Sequence, residues 1–173
     1  MGFLLPTHLN PDQVVVFPWV ARALLRLNLA GYGLAIVTNQ PSAAKKKTSL
    51  DLLNATHSRV LSEIQSEGAV ILSSHICFHR SEDKCSCRKP LPGLLQAARD
   101  LHPQFAHEQS WMIGDGITDV QAGATLGLKT AFFGPKKCDH CLVLENKDLV
   151  PHFWGKNILT FTDFLLGKES PST

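Results

Sequence analysis

The stretch WMIGDGITDVQAGATLGLKTAFF, residues 111–133, carries the pattern that decides the fold. Its apolar ends, Trp111–Ile113 and Thr130–Phe133, predict two short strands, and the helical spacing of Asp119–Leu126 predicts a helix between them. Two strands joined by a helix are typical of a parallel β-α-β unit, because parallel strands need a crossover between them. The stretch therefore indicates an α/β fold.

The same alternation of apolar runs and amphipathic segments continues on both sides of this stretch. Further strands are predicted at Val14–Phe17, Gly33–Thr38, Ala69–Leu72 and, weakly, near Ile158–Phe161. Further helices are predicted at Trp19–Ala30 behind Pro18, from a capping box at Thr48 and Asp51 to about Glu67, at Pro92–Leu101 and at Asp163–Leu166. We therefore expect a Rossmann-like parallel sheet with helices on both faces.

Length and composition fit a single globular domain. The chain has 173 residues, of which 44% are apolar and 18% charged, with a net charge of +2. We expect one domain over residues 1–167 and a disordered tail over 168–173. A general nucleic-acid coat protein needs a basic excess, and Arg22 and Arg26 interrupt the most apolar window, so neither nucleic acid nor a membrane is expected as a partner. No basic region precedes the apolar residues at the amino terminus, so we expect a cytoplasmic protein, and a monomer.

The cysteines fall into two groups, and the first has the composition of a metal site. Cys77, His79, Cys85 and Cys87 supply three thiols and one imidazole within 11 residues, the ligand set of a closed structural zinc site. The alternative is a reduced loop with incidental cysteines. These residues lie in an irregular insert, the predicted zinc loop at 77–90, which interrupts the alternation of strands and helices. Because this insert has few apolar residues, bound Zn²⁺ would supply the folding free energy that burial cannot. Arg80, Lys84 and Arg88 could offset the net negative charge of the site.

The second group, Cys138 and Cys141, is a weaker signal. With only His140 nearby as a further ligand, an ordinary polar loop is favoured over a second metal half-site or a redox pair.

Polar side chains follow two of the predicted strands, at the edge where parallel sheets bind ligands. Thr38 and Asn39 offer donors for phosphate oxygens, although Thr-Asn also simply ends strands. Asp115 presents a carboxylate of the kind that Mg²⁺ prefers. Asp119, four residues on, either supports such a site or is a helix N-terminal acid that interacts with the helix dipole.

Two cations, Arg88 and Lys89, directly follow the last zinc ligand. An arginine can bind phosphate through two parallel hydrogen bonds, and a lysine acts as a point charge. The alternative for both is surface solvation. The three lysines at 45–47 are read as a solvated loop, with an anion-attracting rim as the other possibility.

Three motifs together carry a family resemblance. Val37-Thr-Asn-Gln40, Cys85-x-Cys-Arg-Lys-Pro90 and Gly114-Asp-x3-Asp119, in this order, resemble the haloacid dehalogenase superfamily. More narrowly, they look like the zinc-containing branch of D-glycero-D-manno-heptose 1,7-bisphosphate phosphatases and the histidinol-phosphate phosphatase domain. The resemblance runs from the first residues to about Phe133. It implies a Mg²⁺-dependent phosphatase that hydrolyses a small phosphorylated metabolite, a sugar phosphate or histidinol phosphate.

The resemblance also implies a role for each matching residue. Thr38, Asn39 and Arg88 would contact phosphate or substrate, and Lys89 would neutralise the phosphoaspartate. Asp115 would bind Mg²⁺, and Asp119 would either support that magnesium site or orient Lys89.

The chain departs from the family at the nucleophile. The family's nucleophile and acid/base aspartates stand in Asp-x-Asp-Gly-Thr at the end of its first, central strand, and these 173 residues contain no such motif. Asp12, the only acid before Thr38, follows Pro11 in a predicted turn and is not expected to replace it. We therefore expect the first central strand to be missing and the chain to be a truncated or inactive phosphatase. A pseudophosphatase that binds a phosphorylated ligand or partner is the alternative of another class, and a zinc-stabilised interaction module ranks last.

Two smaller departures bear on the substrate. The segment 41–47 replaces the Ser-Gly-Ile-Ala-Arg-Gly-like loop of the heptose enzymes, and Gly116 stands where that branch often has lysine. Histidinol phosphate therefore stays open as the alternative substrate.

Overall fold

The computed structural model describes residues 11–103, 109–134 and 149–168. The chain divides into two compact units, with the boundary between Arg88 and Lys89. The single domain predicted for residues 1–167 stays a prediction, as does the disordered tail, of which only Lys168 is described. In the described ranges, no helix is long and apolar enough to cross a membrane.

From residue 11 onward, the first unit has two α-helices and a two-stranded parallel sheet. Its elements in chain order are α1 (Pro18–Leu29), β1 (Ala35–Asn39), α2 (Leu50–Ser66) and β2 (Ser73–Cys77). Strands β1 and β2 pair from Ala35 with Ser73 to Asn39 with Cys77. Val60, Ile64 and Ala69 form the buried core cluster, and Val14 and Val16 pack against it.

Three local predictions in this unit are wrong. Val14–Phe17 is not a strand: Val14 and Val16 pack against the core as irregular chain before Pro18, and Val15 is exposed. The strand predicted at Ala69–Leu72 lies at Ser73–Cys77, where the ladder with β1 places residues of low strand propensity. The cap of α2 is Ser49 rather than Thr48, because the Ser49 hydroxyl accepts a hydrogen bond from the Leu52 N–H.

A polar contact joins α2 to β2 beside this core. His57 Nε2 lies 2.7 Å from Ser74 Oγ, and burial lowers the pKa of His57. The neutral imidazole is therefore the favoured form in the folded protein.

In its described residues, the second unit has three α-helices and a three-stranded parallel sheet in the order β3-β4-β5. Its elements in chain order are α3 (Gly93–Leu101), β3 (Trp111–Gly114), α4 (Ile117–Thr125), β4 (Lys129–Phe133), β5 (Phe153–Gly155) and α5 (Ile158–Leu165). Residues 111–133 thus form the β-α-β unit predicted from the sequence. Ala131, Phe133 and Phe161 form a buried cluster on one side of the sheet.

The strand predicted near Ile158–Phe161 is wrong, because these residues begin α5. Asn157 caps this helix, and its side-chain oxygen accepts a hydrogen bond from the Thr160 N–H. The strand of this region is Phe153–Gly155, which pairs with β4. The separately predicted helix at Asp163–Leu166 is the second half of α5.

The predicted α/β class with parallel strands is confirmed. Within the described ranges the strands form a two-stranded sheet in the first unit and a three-stranded sheet in the second.

Candidate metal and phosphate-binding residues

The predicted zinc ligands converge in the first unit. Strand β2 ends at Cys77, which is buried, and the segment behind it brings His79, Cys85 and Cys87 to the same place. The four candidate ligand atoms all lie within 4.8 Å of one another. The sequence spacing therefore corresponds to a three-dimensional cluster.

The separations within this cluster match those of a tetrahedral zinc site. His79 Nδ1 lies 3.6 Å from Cys77 Sγ and 3.4 Å from Cys87 Sγ, and Cys85 Sγ lies 3.7 Å and 3.5 Å from the same two sulfurs. A tetrahedron with Zn–S of about 2.3 Å and Zn–N of about 2.0–2.1 Å has S···S edges of about 3.8 Å and S···N edges of about 3.5 Å. The donor set and its geometry fit Zn²⁺.

The surroundings shift the pKa values of two thiols of this cluster in opposite directions. Burial first, and then the Cys77 and Cys85 sulfurs, raise the pKa of the Cys87 thiol to about 12. Burial also acts to raise the pKa of Cys85, but backbone N–H groups of Arg88 and Cys87 and the neighbouring thiols outweigh it and lower that pKa. A thiol whose pKa is raised in this way, as at Cys87, ionises more readily when a divalent cation is bound beside it.

Thr38 and Asn39 lie at the carboxyl end of β1, in the same unit as the cluster. Asn39 pairs with Cys77 in the ladder, so the strand end and the start of the cysteine segment share one edge of the sheet. The Gln40 N–H donates to the Cys77 carbonyl at 2.7 Å, and the Gln40 amide lies 3.4 Å from Thr38 Oγ1. The register thus brings together two groups that the sequence placed about 40 residues apart.

Arg88 is tied to the cysteine segment. Its Nη1 donates to the carbonyl of His79 at 3.0 Å, so the side chain folds back over the metal ligands. A guanidinium has five N–H donors, and this bond uses one of them. Arg88 can therefore support the loop and still present donors to an anion.

Lys89 and Asp119 form a buried ion pair in the second unit. Lys89 Nζ lies 2.7 Å from Asp119 Oδ1, and the two residues are 9% and 7% exposed. The other carboxylate oxygen, Oδ2, accepts the Gly116 N–H at 3.0 Å. Both oxygens of Asp119 are thus engaged within the chain, which favours orientation of Lys89 over direct metal binding.

A glycine makes room for this carboxylate. A Cβ on Gly114, the last residue of β3, would lie 2.0 Å from Asp119 Oδ2, which no real contact allows. Glycine at 114 therefore lets the Asp119 side chain lie over the strand end. Sequence reasoning missed this role, and the signal was the glycine itself directly before Asp115.

Asp115 differs from Asp119 in its surroundings. It follows β3 directly and is exposed, whereas Asp119 is buried on the first turn of α4. An exposed carboxylate at a strand end fits a hard cation, which completes its shell with water and phosphate oxygens. Asp115 is thus the acid of this segment that suits Mg²⁺.

The predicted site residues therefore fall into two groups, each described within its own unit. The first unit brings Thr38, Asn39 and Arg88 to the same sheet end and loop as the predicted zinc ligands. The second unit holds the Lys89–Asp119 pair, with Asp115 in the chain between Gly114 and Gly116, the two glycines that lie against Asp119 Oδ2. Cys138, His140 and Cys141 lie outside the described residues.

Comparison with known proteins identifies the family of this chain. The haloacid dehalogenase-like hydrolase model matches residues 8–127, more than half of the chain. The D-glycero-beta-D-manno-heptose-1,7-bisphosphate 7-phosphatase of Pseudomonas putida is 32% identical over 116 residues, which are 67% of this chain and 66% of that protein. The histidine biosynthesis bifunctional protein HisB of Legionella pneumophila is 33% identical over 117 residues, which are 68% of this chain and 33% of that protein.

A solved structure supports the fold. The D,D-heptose 1,7-bisphosphate phosphatase of B. bronchiseptica, complexed with magnesium and phosphate, has a TM-score of 0.77 and 24% sequence identity. The match covers 92% of this chain and 88% of that one. The chain spans just under two thirds of the Pseudomonas relative and a third of the Legionella one. On its sequence and its fold, the chain belongs to the haloacid dehalogenase-like hydrolase family.

Proposed function

We propose that this chain carries the phosphate-binding and metal-binding parts of a Mg²⁺-dependent sugar-phosphate phosphatase of the heptose 1,7-bisphosphate type. The observation that carries the proposal is the buried pair of Lys89 and Asp119, next to the exposed Asp115. A buried ammonium aligned by a carboxylate is suited to balance negative charge on a phosphoryl group. The similarity to heptose bisphosphate phosphatases supports the substrate class.

Each residue has a defined task in this proposal. Asp119 holds the Lys89 ammonium in one orientation, and Lys89 offsets the charge of the phosphoryl oxygens. Thr38, Asn39 and Arg88 donate hydrogen bonds to phosphate or substrate oxygens. Asp115 would hold Mg²⁺, which as a bound cation neutralises charge on phosphate oxygens.

Zinc has a structural role in the proposal. Cys77, His79, Cys85 and Cys87 would close the coordination shell, which leaves no open position for substrate. Bound zinc would fix the segment that ends at Arg88 and thus the donors of that side chain. Thiolate ligands need a reducing compartment, which supports a cytoplasmic location, and we propose a monomer.

These 173 residues contain no Asp-x-Asp-Gly-Thr motif. We therefore propose that the chain binds phosphate but hydrolyses phosphate monoesters at close to the background rate. By analogy with the removal of a serine protease nucleophile, the loss is on the order of 10⁴ to 10⁶ in turnover. The two readings of this absence are a shortened phosphatase and a pseudophosphatase. The codons upstream of Met1 distinguish them, since an in-frame motif supports the first and a stop codon the second.

Histidinol phosphate is the second candidate substrate. The 33% identity to a bifunctional histidine biosynthesis protein favours it, as does the replacement of the heptose-type loop by residues 41–47. Release of phosphate from heptose bisphosphate and from histidinol phosphate, measured with malachite green, is expected to stay near background for this chain. Turnover of either compound at a normal enzymatic rate would contradict the account of the nucleophile.

Calorimetric titration with inorganic phosphate in the presence of Mg²⁺ tests binding directly. We expect Lys89→Met to weaken phosphate binding by about tenfold or more, because a hydrogen bond to a charged group contributes about 1.5–3 kcal/mol. Asp115→Asn should abolish the dependence of binding on Mg²⁺. Lys156→Met, which removes an exposed lysine of the same unit, is the matched control and should leave binding unchanged. Wild-type affinity in Lys89→Met would refute the proposed site.

A further inference from the structure

The segment between two zinc ligands is closed by contacts that involve none of the ligands. Five residues, 80–84, separate His79 from Cys85, and they must fold back for both side chains to enter one coordination shell. Residues 80–84 are all exposed, so apolar burial cannot hold this turn. Polar contacts must hold the turn instead.

Arg80 and Asp83 hold the turn through three hydrogen bonds. The Arg80 N–H donates to Asp83 Oδ2 at 2.7 Å, and the Asp83 N–H donates to the Arg80 carbonyl at 3.3 Å. The Arg80 guanidinium also reaches Asp83 Oδ1 at 3.1 Å. The Asp83 carboxylate therefore binds both the backbone and the side chain of the residue that follows His79.

The turn leads directly into the next ligand. Residues Ser81–Asp83 form a single 3-10 turn, and Lys84 follows in the left-handed region with φ of 47°. This reversal brings the chain to Cys85, whose sulfur accepts backbone N–H groups of Cys87 and Arg88. The arrangement from His79 to Cys85 is thus set by the closure between residues 80 and 83.

We propose that Asp83 is a positioning residue for the metal site, because its carboxylate holds the 80–83 turn closed and so sets His79 and Cys85 at ligand spacing. The inference rests on the zinc site proposed above. Without the Asp83 carboxylate, zinc binding itself must close the turn. The entropy lost when residues 80–84 become ordered then reduces the free energy of zinc binding. Groups that orient metal ligands typically change metal affinity by 10–100-fold.

The test is zinc affinity of the full chain, measured under reducing conditions by competition with a chromophoric chelator. Asp83→Ala is expected to weaken zinc binding by on the order of tenfold. Asp83→Asn keeps one acceptor for the Arg80 N–H, and Arg80→Ala keeps the backbone N–H, so both should lose less. Glu82→Ala removes the neighbouring exposed acid and is the matched charge control, expected to bind zinc like the wild type.

A spectroscopic measurement shows whether Asp83 positions the metal ligands or is a metal ligand itself. Saturated with Co²⁺, Asp83→Ala should keep the visible absorption bands of the wild type, because the four ligands are unchanged and only the affinity differs. Unchanged zinc affinity in Asp83→Ala, or an equal loss in Glu82→Ala, would overturn the proposal. If Asp83→Ala does not fold, Asp83→Asn and Arg80→Ala provide the same comparison. Failure of the wild type to bind zinc would instead contradict the zinc site itself, and this proposal with it.

Discussion

The zinc loop, Cys77–Arg88, and the Lys89–Asp119 pair show two ways to hold charged groups in place. The loop is largely exposed, and its three sulfurs and one imidazole are the donor set of a metal site. The pair is buried, and its ammonium lies 2.7 Å from its carboxylate. We expect the loop to be held by a metal ion from solution, whereas both members of the pair belong to the protein.

This difference makes the two regions respond oppositely to the same treatment. Removal of metal should loosen the loop and leave the ion pair intact, since the pair uses no metal. Removal of the Asp119 carboxylate should damage the second unit far more than an equivalent change at the surface, because a buried ammonium loses its 2.7 Å ion pair. The predictions below are arranged from the largest expected effect to the smallest.

Metal removal is expected to have the largest effect. Structural zinc contributes on the order of 10 kcal/mol in small zinc-binding domains, and the exposed loop has little burial to replace it. We expect the zinc-loaded chain to resist brief trypsin treatment after Arg80 and Lys84, and chelator-treated chain to be cut at both, as read by mass spectrometry. Equal cleavage with and without chelator would show that the loop needs no metal.

The same digest contains its own reference. Cleavage after Arg59, on the exposed face of α2 in the same unit, should not depend on the chelator, because this helix is held by its own core contacts. Cys87→Ser, which removes one ligand, should be cut in the loop even with zinc present.

The second prediction concerns the buried pair. Asp119→Ala leaves the Lys89 ammonium buried without its carboxylate, and we expect a loss of about 3–5 kcal/mol in the free energy of unfolding. Urea denaturation monitored by tryptophan fluorescence measures it. The control is Glu63→Ala, which breaks an exposed helical pair with Arg59 and should cost about 0.3–0.5 kcal/mol.

A double variant sharpens this result. Lys89→Met with Asp119→Leu replaces both charges by apolar groups and should recover much of the stability, because the buried ammonium is removed together with its carboxylate. A double variant no more stable than Asp119→Ala would mean that the loss comes from packing rather than from the broken ion pair.

The sequence predicts the cluster of metal ligands better than it predicts the contact between Lys89 and Asp119. The four ligands are close in sequence, so their spacing alone indicates the cluster. The pair joins Lys89 to Asp119 across 30 residues, and the sequence left open whether Asp119 supports magnesium, orients Lys89 or only caps a helix. That choice depends on two oxygen contacts that only the folded chain defines.

The misplaced strands have a similar explanation. Ser73–Cys77 forms β2 because it pairs with β1, although Ser-Ser-His has little intrinsic preference for a strand. Ile158–Phe161 is apolar enough for a strand, but the Asn157 cap starts a helix there. Short apolar runs of this kind are decided by their partners and caps, which pattern alone does not reveal.

The smallest expected effect compares two glycines that surround the Asp119 carboxylate. A Cβ at Gly114 would lie 2.0 Å from Asp119 Oδ2, whereas one at Gly116 would lie 3.3 Å from the same atom. Gly114→Ala must therefore displace the carboxylate, and we expect a loss of about 1–3 kcal/mol in the free energy of unfolding. Gly116→Ala needs only a shift of a few tenths of an ångström, and its φ of −103° suits alanine, so it should cost less than about 1 kcal/mol.

Phosphate affinity should follow the same order as stability in these two variants, because Lys89 is oriented by the carboxylate that Gly114→Ala displaces. Urea midpoints and phosphate titrations of both variants measure the two quantities. If Gly116→Ala were the more damaging change, the backbone position at Gly116, which carries the N–H to Oδ2, would matter more than the space at Gly114. The carboxylate would then be held mainly by the turn before α4 rather than by the end of β3.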